Sequence, residues 1–183
     1  SLAQQYQKKT DKQHILDNPD TYIGSVENVD ADNYIFKDNK IVLQNTQYIH
    51  GLYKLFDEGI VNCRDHVVRT QQQIENKKEN VLPVTYIDIQ INDDDSITMI
   101  NDGNGIDVAK HPEYDLWIPE MIFGHLRTST NYDKTEKKIV GGKNGFGFKL
   151  VLIYSKWGTI ETVDHIRKKK YTQRFENNLE TIK

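Results

Sequence analysis

Val84-Thr-Tyr-Ile-Asp-Ile-Gln-Ile91, Asn92-Asp-Asp-Asp95 and Ser96-Ile-Thr-Met-Ile-Asn101 follow one another in the chain, and their reading decides the fold class. The first segment alternates apolar and polar side chains, as a half-buried strand does. The acidic stretch is a turn, and the third segment returns as a strand, so the spacing predicts an antiparallel hairpin. Upstream, residues 49–73 place Leu52, Leu55, Phe56, Ile60, Cys63 and Val67 at helical spacing. Residues 1–20 read as an arm ending in a short helix, with a turn at Asn18-Pro19-Asp20, and 75–80 as a surface loop. Downstream, 119–126 predict a short helix, and 149–154 the first turns of a buried helix. Residues 157–164 and 171–176 are strands joined by 165–170. Helices and antiparallel strands are mixed rather than strictly alternating. The expected fold is therefore α+β, a two-layer sandwich of helices and a mixed, largely antiparallel sheet, and not a doubly wound parallel sheet.

The 183 residues suffice for one domain with a real core. With 24 basic and 27 acidic residues the net charge is -3, which excludes a strong global field drawing nucleic acid onto the chain. Cys63 is the single cysteine, so no disulfide forms within one chain, as suits a reducing intracellular compartment. No run of about 18 apolar residues predicts a membrane span. Residues 1–10 lack the apolar centre of a signal peptide.

Four clusters carry chemistry. Glu58 and Asn62 stand four residues apart, on one face of the long helix, with Asp65 and His66 following. There an amide oxygen suits Mg²⁺ and a carboxylate suits proton abstraction from water. Asn101-Asp102-Gly103-Asn104-Gly105 lies at a strand end. Its glycines permit a tight turn or close backbone approach, and Asp102 is placed to enter a pocket and accept a hydrogen bond from a base amine. Gly141-Gly142-Lys143-Asn144-Gly145-Phe146-Gly147-Phe148-Lys149 exposes backbone amides just before an apolar helix, an arrangement suited to anions, and Lys149 adds a point charge. It is neither a Walker A loop nor a Rossmann fingerprint. Thr128-Ser129-Thr130-Asn131 offers short hydroxyl and amide groups to ribose or phosphate. Taken singly, each cluster also reads as a solvated helix face, a plain turn or a polar loop. Together, in this chain order, they supply a base, a metal ligand, an adenine reader and a phosphate cradle.

That order resembles the GHKL ATPases: gyrase, the Hsp90 chaperones, the MutL repair proteins and histidine kinases. Within that group Tyr6-Gln-Lys-Lys-Thr10, Pro19-Asp-Thr-Tyr-Ile-Gly-Ser25, Gly51-Leu-Tyr-Lys-Leu-Phe-Asp-Glu58, Ile122-Phe-Gly124, Thr128-Ser129, Asn131-Tyr132, Glu136-Lys-Lys138 and the glycine-rich stretch are similar to type II DNA topoisomerases of the eukaryotic kind, relatives of which large DNA viruses encode. The resemblance runs from Tyr6 to about Thr162. It implies a Bergerat-type ATP-binding domain over residues 21–183, preceded by a dimer strap over 1–20. The chaperone and repair-type ATPases, and a module without hydrolysis, are the rival implications. The basic run 167–170 reads as a solvated turn or as a DNA contact.

The resemblance also implies roles. Glu58 activates the water that attacks ATP, Asn62 binds Mg²⁺, and Asp102, with Asn101 beside it, reads adenine. Ser129, Thr130 and Asn131 meet ribose or phosphate; Gly142, Lys143, Asn144, Gly145, Phe146 and Gly147 wrap the triphosphate; Lys149 neutralises it; Tyr6 reaches the nucleotide of a second copy. Gly105 and His66 complete the nucleotide set. ATP and Mg²⁺ are the implied cofactors. A second copy of the chain and DNA are the implied partners of a longer enzyme, located in the nucleus of a cell or in an infected host cell. Departures from the pattern are His66 where an amide is usual, Gly59 where an aliphatic side chain is usual, and Phe148 in place of a small residue. The resemblance further implies that a transducer domain and a DNA-cleaving core lie outside this chain, so that the chain alone binds ATP and hydrolyses it slowly or not at all.

Overall fold

The computed structural model describes residues 10–126 and 147–183. The chain divides into two compact units, Ser1–Asp57 and Glu58–Lys183.

In the first unit, α1 (Asp11–Asp17) is capped by Thr10, whose hydroxyl accepts from Gln13 N at 3.2 Å. Asn18 closes it, and α2 (Pro19–Tyr22) begins at once with proline in its first turn, where no amide is needed. The predicted turn is thus a junction between two helices. β1 (Asn28–Lys37) and β2 (Lys40–Ile49) form a ten-pair antiparallel hairpin closed by Asp38 and Asn39, both left-handed at φ 50° and 59°. Two left-handed residues match the twist of a two-residue hairpin turn. Sequence reading assigned nothing to this segment. Half-buried and exposed positions alternate along β1, but the large apolar side chains Tyr34 and Phe36, with Ile41 and Leu43 of β2, stand exposed.

α3 (His50–Glu75) runs on into the second unit, where its residues from Glu58 onward lie. β3 (Ile87–Ile91) and β4 (Ile97–Asn101) make the predicted hairpin. β3 starts at Ile87 rather than at Val84 because the Thr85 and Tyr86 amides donate to the Asp102 carboxylate instead of to a ladder. α4 (Ile118–Gly124) and α5 (Gly147–Ile153) follow, then β5 (Trp157–Asp164), β6 (Lys169–Glu176) and β7 (Thr181–Ile182), antiparallel in the order β5-β6-β7.

Helices pack on sheet throughout this unit. A β-carbon at Gly124 of α4 would meet Phe175 and Ile182 at 3.0 and 3.2 Å, and one at Gly158 of β5 would collide with Leu152 of α5. Met121, Leu150, Leu152, Ile153 and Phe175 are buried between the layers. Phe175, 1% exposed, contributes about 1.5–3 kcal/mol by burial. The α+β expectation holds: every described strand pair is antiparallel, and the described strands fall into three sheets.

Candidate nucleotide-binding site

α3 is the ruler of the site. Glu58, Asn62 and His66 succeed one another at four-residue steps on one face, and eight residues of helix span about 12 Å. At the first end Glu58 adjoins α5: a β-carbon at Gly147 would stand 3.9 Å from Glu58 Oε2. Gly59 lies against Met99 of β4 and Phe148 of α5, and Phe148 also meets Phe123 edge-on at 5.8 Å. The space that a side chain at position 59 would need is taken chiefly by the Met99 thioether, with Phe148 at ordinary contact distance. Lys149, on the next position of α5, is 5% exposed, and burial holds its ammonium below the usual lysine range.

At the other end stands His66. Arg69 Nη2 lies 3.1 Å from its Nδ1. A guanidinium only donates, so Nδ1 accepts and the proton sits on Nε2. That Nε2 is buried and, among the described residues, has no hydrogen-bond partner. Burial foremost, then the charge of Arg69, lower the imidazole's pKa. The Asn104 backbone pulls the other way, but it falls outside hydrogen-bonding geometry. The ring is thus a neutral donor facing the Asn101–Gly105 turn.

That turn is strung between two anchors. On one side Asp102 Oδ1 accepts from Thr85 N at 2.6 Å and Tyr86 N at 3.2 Å, Asp102 Oδ2 accepts from Thr85 Oγ1, and Asn104 Oδ1 accepts from Leu82 N at 2.6 Å. The Thr85 hydroxyl, with the Thr85 and Tyr86 amides, holds the Asp102 carboxyl below its ordinary range against a smaller opposing effect of desolvation. Among the described residues three of about four acceptor positions of Asp102 are used, and one on Oδ2 remains. Asn101 donates through Nδ2 to the Asp102 carbonyl at 2.9 Å. Gly103 takes φ 91°, the left-handed region that favours glycine. On the other side, a β-carbon at Gly105 would overlap the Val163 carbonyl of β5. Ile106 N donates to Thr162 Oγ1 at 2.8 Å and Val108 N to Asp164 Oδ2 at 2.9 Å.

Glu58 and the start of α5, the helix that bears Lys149, thus adjoin at one end of the α3 face, and His66 and the Asp102 turn lie at the other. Asn62, between them, is exposed. Tyr6, Ser129, Thr130, Asn131, Gly142, Lys143, Asn144, Gly145 and Phe146 lie outside the described residues. Sequence reasoning passed over Thr85, Arg69, Thr162 and Asp164. The last two had a signal: they are polar residues at the inward positions of an alternating strand, where apolar ones are expected.

Helices over antiparallel strands, with a long helix set against an Asp-Gly-x-Gly turn, define the class as a GHKL-type ATPase domain. At the level of fold, the 43K ATPase domain of Thermus thermophilus gyrase B, solved in complex with an aminocoumarin, matches with TM-score 0.55 at 19% identity, over 90% of this chain and 31% of that one. The ATPase region of Saccharomyces cerevisiae topoisomerase II matches with TM-score 0.87 at 39% identity, over 100% of this chain and 46% of that one. DNA topoisomerase 2 of Acanthamoeba polyphaga mimivirus is 48% identical over 185 residues, which is 98% of this chain and 14% of that protein. No protein-family model matches the chain. The chain belongs to the type II DNA topoisomerases of eukaryotes and large DNA viruses, and it corresponds to part of their ATPase region.

Proposed function

We infer that this chain is the ATP-binding part of a type II DNA topoisomerase, an enzyme that couples ATP to DNA strand passage. The observation that carries the reading is the α3 face, which sets Glu58 beside the α5 segment bearing Lys149 and sets His66 Nε2, unpartnered among the described residues, toward the Asp102 turn. Adenine would donate its amine to the remaining acceptor position of Asp102 Oδ2, and the triphosphate would run along α3 toward Lys149. Glu58 would take the proton of the attacking water. His66 would donate to a nucleotide oxygen. Positioning and charge stabilisation supply most of such catalysis.

Mg²⁺ fits the donor set. Among the described residues no group of three or more His, Cys, Asp or Glu could hold a metal, and a cation held by the exposed Asn62 amide together with the nucleotide's own phosphates needs none. When bound it would neutralise phosphate charge. By resemblance, Ser129, Thr130, Asn131, Gly142, Lys143, Asn144, Gly145, Phe146 and Gly147 would enclose ribose and phosphates, and Tyr6, on a strap formed by residues 1–20, would reach the nucleotide of a second copy. DNA would be handled by the longer protein, inside a cell or an infected host. Among the described residues no helix is long and apolar enough to cross a membrane.

Calorimetric titration with a non-hydrolysable ATP analogue, with and without Mg²⁺, tests the reading. Binding strengthened by Mg²⁺ and weakened by Asp102→Ala is expected; no binding under either condition overturns it.

A further inference from the structure

The geometry points to Asp164 as the positioning residue that holds the adenine-reading turn in register with the β5-β6-β7 sheet. The inference rests on the nucleotide-site reading above and names a part of that site beyond the resemblance. Asp164 ends β5 and is 3% exposed. Its carboxylate accepts four hydrogen bonds: Oδ1 from Ile166 N at 3.0 Å and Arg167 N at 2.9 Å, Oδ2 from Val108 N and Arg167 Nη1, each at 2.9 Å. All its acceptor positions are used. Two of the four bonds shape the 165–168 turn, one brings in the neutralising guanidinium, and one reaches across to the arm that leaves the Asp102 turn.

That arm lies along β5 as a surrogate parallel strand. Ile106 pairs with Thr162 and Val108 with Asp164, two residues apart on each side, and side-chain oxygens replace the main-chain carbonyls of a normal ladder. Gly105 sits so close to Val163 that only a glycine fits. A ladder made by side chains has adjustable reach, so the identity of residue 164 sets how far the arm stands from β5. Asp102 is three residues before Gly105 and is tied on its far side to Thr85 and Tyr86. Loss of the Asp164 anchor therefore leaves the β5 side of the turn to the single Ile106–Thr162 bond among the described residues, against the ties to Thr85 and Tyr86 on the far side. The outer contact of Arg167 with Asp107, 2.6 Å between two exposed side chains, contributes little to this.

The test is Asp164→Asn beside the control Asp107→Asn, each titrated with a non-hydrolysable ATP analogue and with inorganic tripolyphosphate, which has no base to read. Asp164→Asn is expected to weaken the ATP analogue on the order of tenfold and to leave tripolyphosphate unchanged, while Asp107→Asn changes neither. In the same variant, amide exchange at Ile106 and Val108 accelerates while the β6-β7 pairing at Phe175 and Ile182 keeps its protection. Equal weakening of both probes marks general damage and overturns the assignment, as does unchanged affinity for the analogue. Should Asp164→Asn fail to fold, Thr162→Val removes the neighbouring acceptor and carries the same readouts. A wild-type chain that binds neither probe overturns the nucleotide reading itself; the exchange measurement then still decides whether Asp164 holds the turn.

Discussion

Replacing Gly105 with alanine adds one methyl group at a point where the backbone of β5 already stands. The new β-carbon would overlap the Val163 carbonyl oxygen and lie 2.7 Å from its carbon and 2.8 Å from Thr162 Oγ1. Ordinary carbon–carbon contact is about 3.5–4.0 Å, so the arm must retreat by about 1 Å. The obstacle is main chain in a strand pinned by β6 over eight residue pairs, from Trp157↔Glu176 to Asp164↔Lys169, and it cannot swing aside as a side chain would. A retreat of that size lengthens the Ile106 and Val108 hydrogen bonds, at 2.8 and 2.9 Å, beyond useful range. Overpacking costs about 1–3 kcal/mol. Stranding a buried donor or acceptor adds about 1–3 kcal/mol. The expected loss is therefore about 4 kcal/mol, or roughly 8–16 °C in Tm for a domain of this size. Urea denaturation and a thermal melt measure it. A loss under about 1 kcal/mol, with amide protection at Ile106 and Val108 intact, would refute the close approach and with it the surrogate ladder. Gly59→Ala is the contrast. There the obstructing atoms are the thioether end of Met99, which can turn away, and the gain in helix propensity of up to ~1 kcal/mol opposes the crowding. Its net effect is expected to fall within about 1 kcal/mol of zero.

Three further outcomes follow from the geometry. In a longer protein that turns over ATP, Glu58→Ala should keep nucleotide affinity within about threefold and lower kcat by 10²–10⁴, roughly the contribution of a general base; unchanged turnover in a steady-state assay would remove Glu58 from that role. Stability should fall with acid in two stages. The lowered pKa of His66 means that the unfolded chain binds a proton first, so stability declines as pH drops below about 6.5. For Asp164, burial alone would raise the carboxyl, but the amides of Arg167 and Val108 and the Arg167 guanidinium outweigh it, so its stabilisation is complete above about pH 4 and is lost below that. Denaturation midpoints at stepped pH would show both stages, and His66→Gln should abolish the first; its persistence in that variant would assign the stage to another group. Phe175→Ala should cost about 3–5 kcal/mol, because Phe175 is 1% exposed between α4 and the sheet; a melt within a few degrees of wild type would contradict that packing.

The sequence announced α3 and the second-unit hairpins through the spacing of apolar side chains. α3 has six of them at helical spacing and β3 alternates apolar with polar residues, and this held although Leu52, Ile87, Ile89 and Ile91 are themselves exposed. The β1-β2 hairpin was not legible. Tyr34-Ile35-Phe36 and Ile41-Val42-Leu43 are continuous apolar runs that break the alternation of a strand, and the hairpin's clearest mark is the Asp38-Asn39 pair, a turn of two left-handed residues. The first residues assigned to β3 were misjudged for a different reason. Thr85 and Tyr86 have strand-like side chains, but their amides serve the Asp102 carboxylate, a contact sixteen or seventeen residues away in the chain. Spacing along one helix brought Glu58, Asn62 and His66 into the candidate site. Long-range anchors such as Thr162 and Asp164, fifty-six residues from the amides they hold, leave only an oddity, polar side chains where a strand should be apolar.

The same anchors explain why the site is built from such ordinary parts. Glu58 and His66 keep a fixed separation because one uninterrupted helix carries both. Asp102 is a carboxylate already mostly satisfied by Thr85 and Tyr86, which suits a group that must present one remaining acceptor in one direction. His66 is the converse, a donor held by Arg69 with its second nitrogen buried and, among the described residues, unmatched. An unmatched buried donor costs about 1–3 kcal/mol, and an oxygen brought to it by a ligand would relieve that cost. If the ring meets a nucleotide as proposed, an imidazole where the resemblance implies an amide would do more than preserve a hydrogen bond: burial and Arg69 keep the ring neutral, so the affinity it contributed should be flat above neutral pH and change only as the ring begins to protonate.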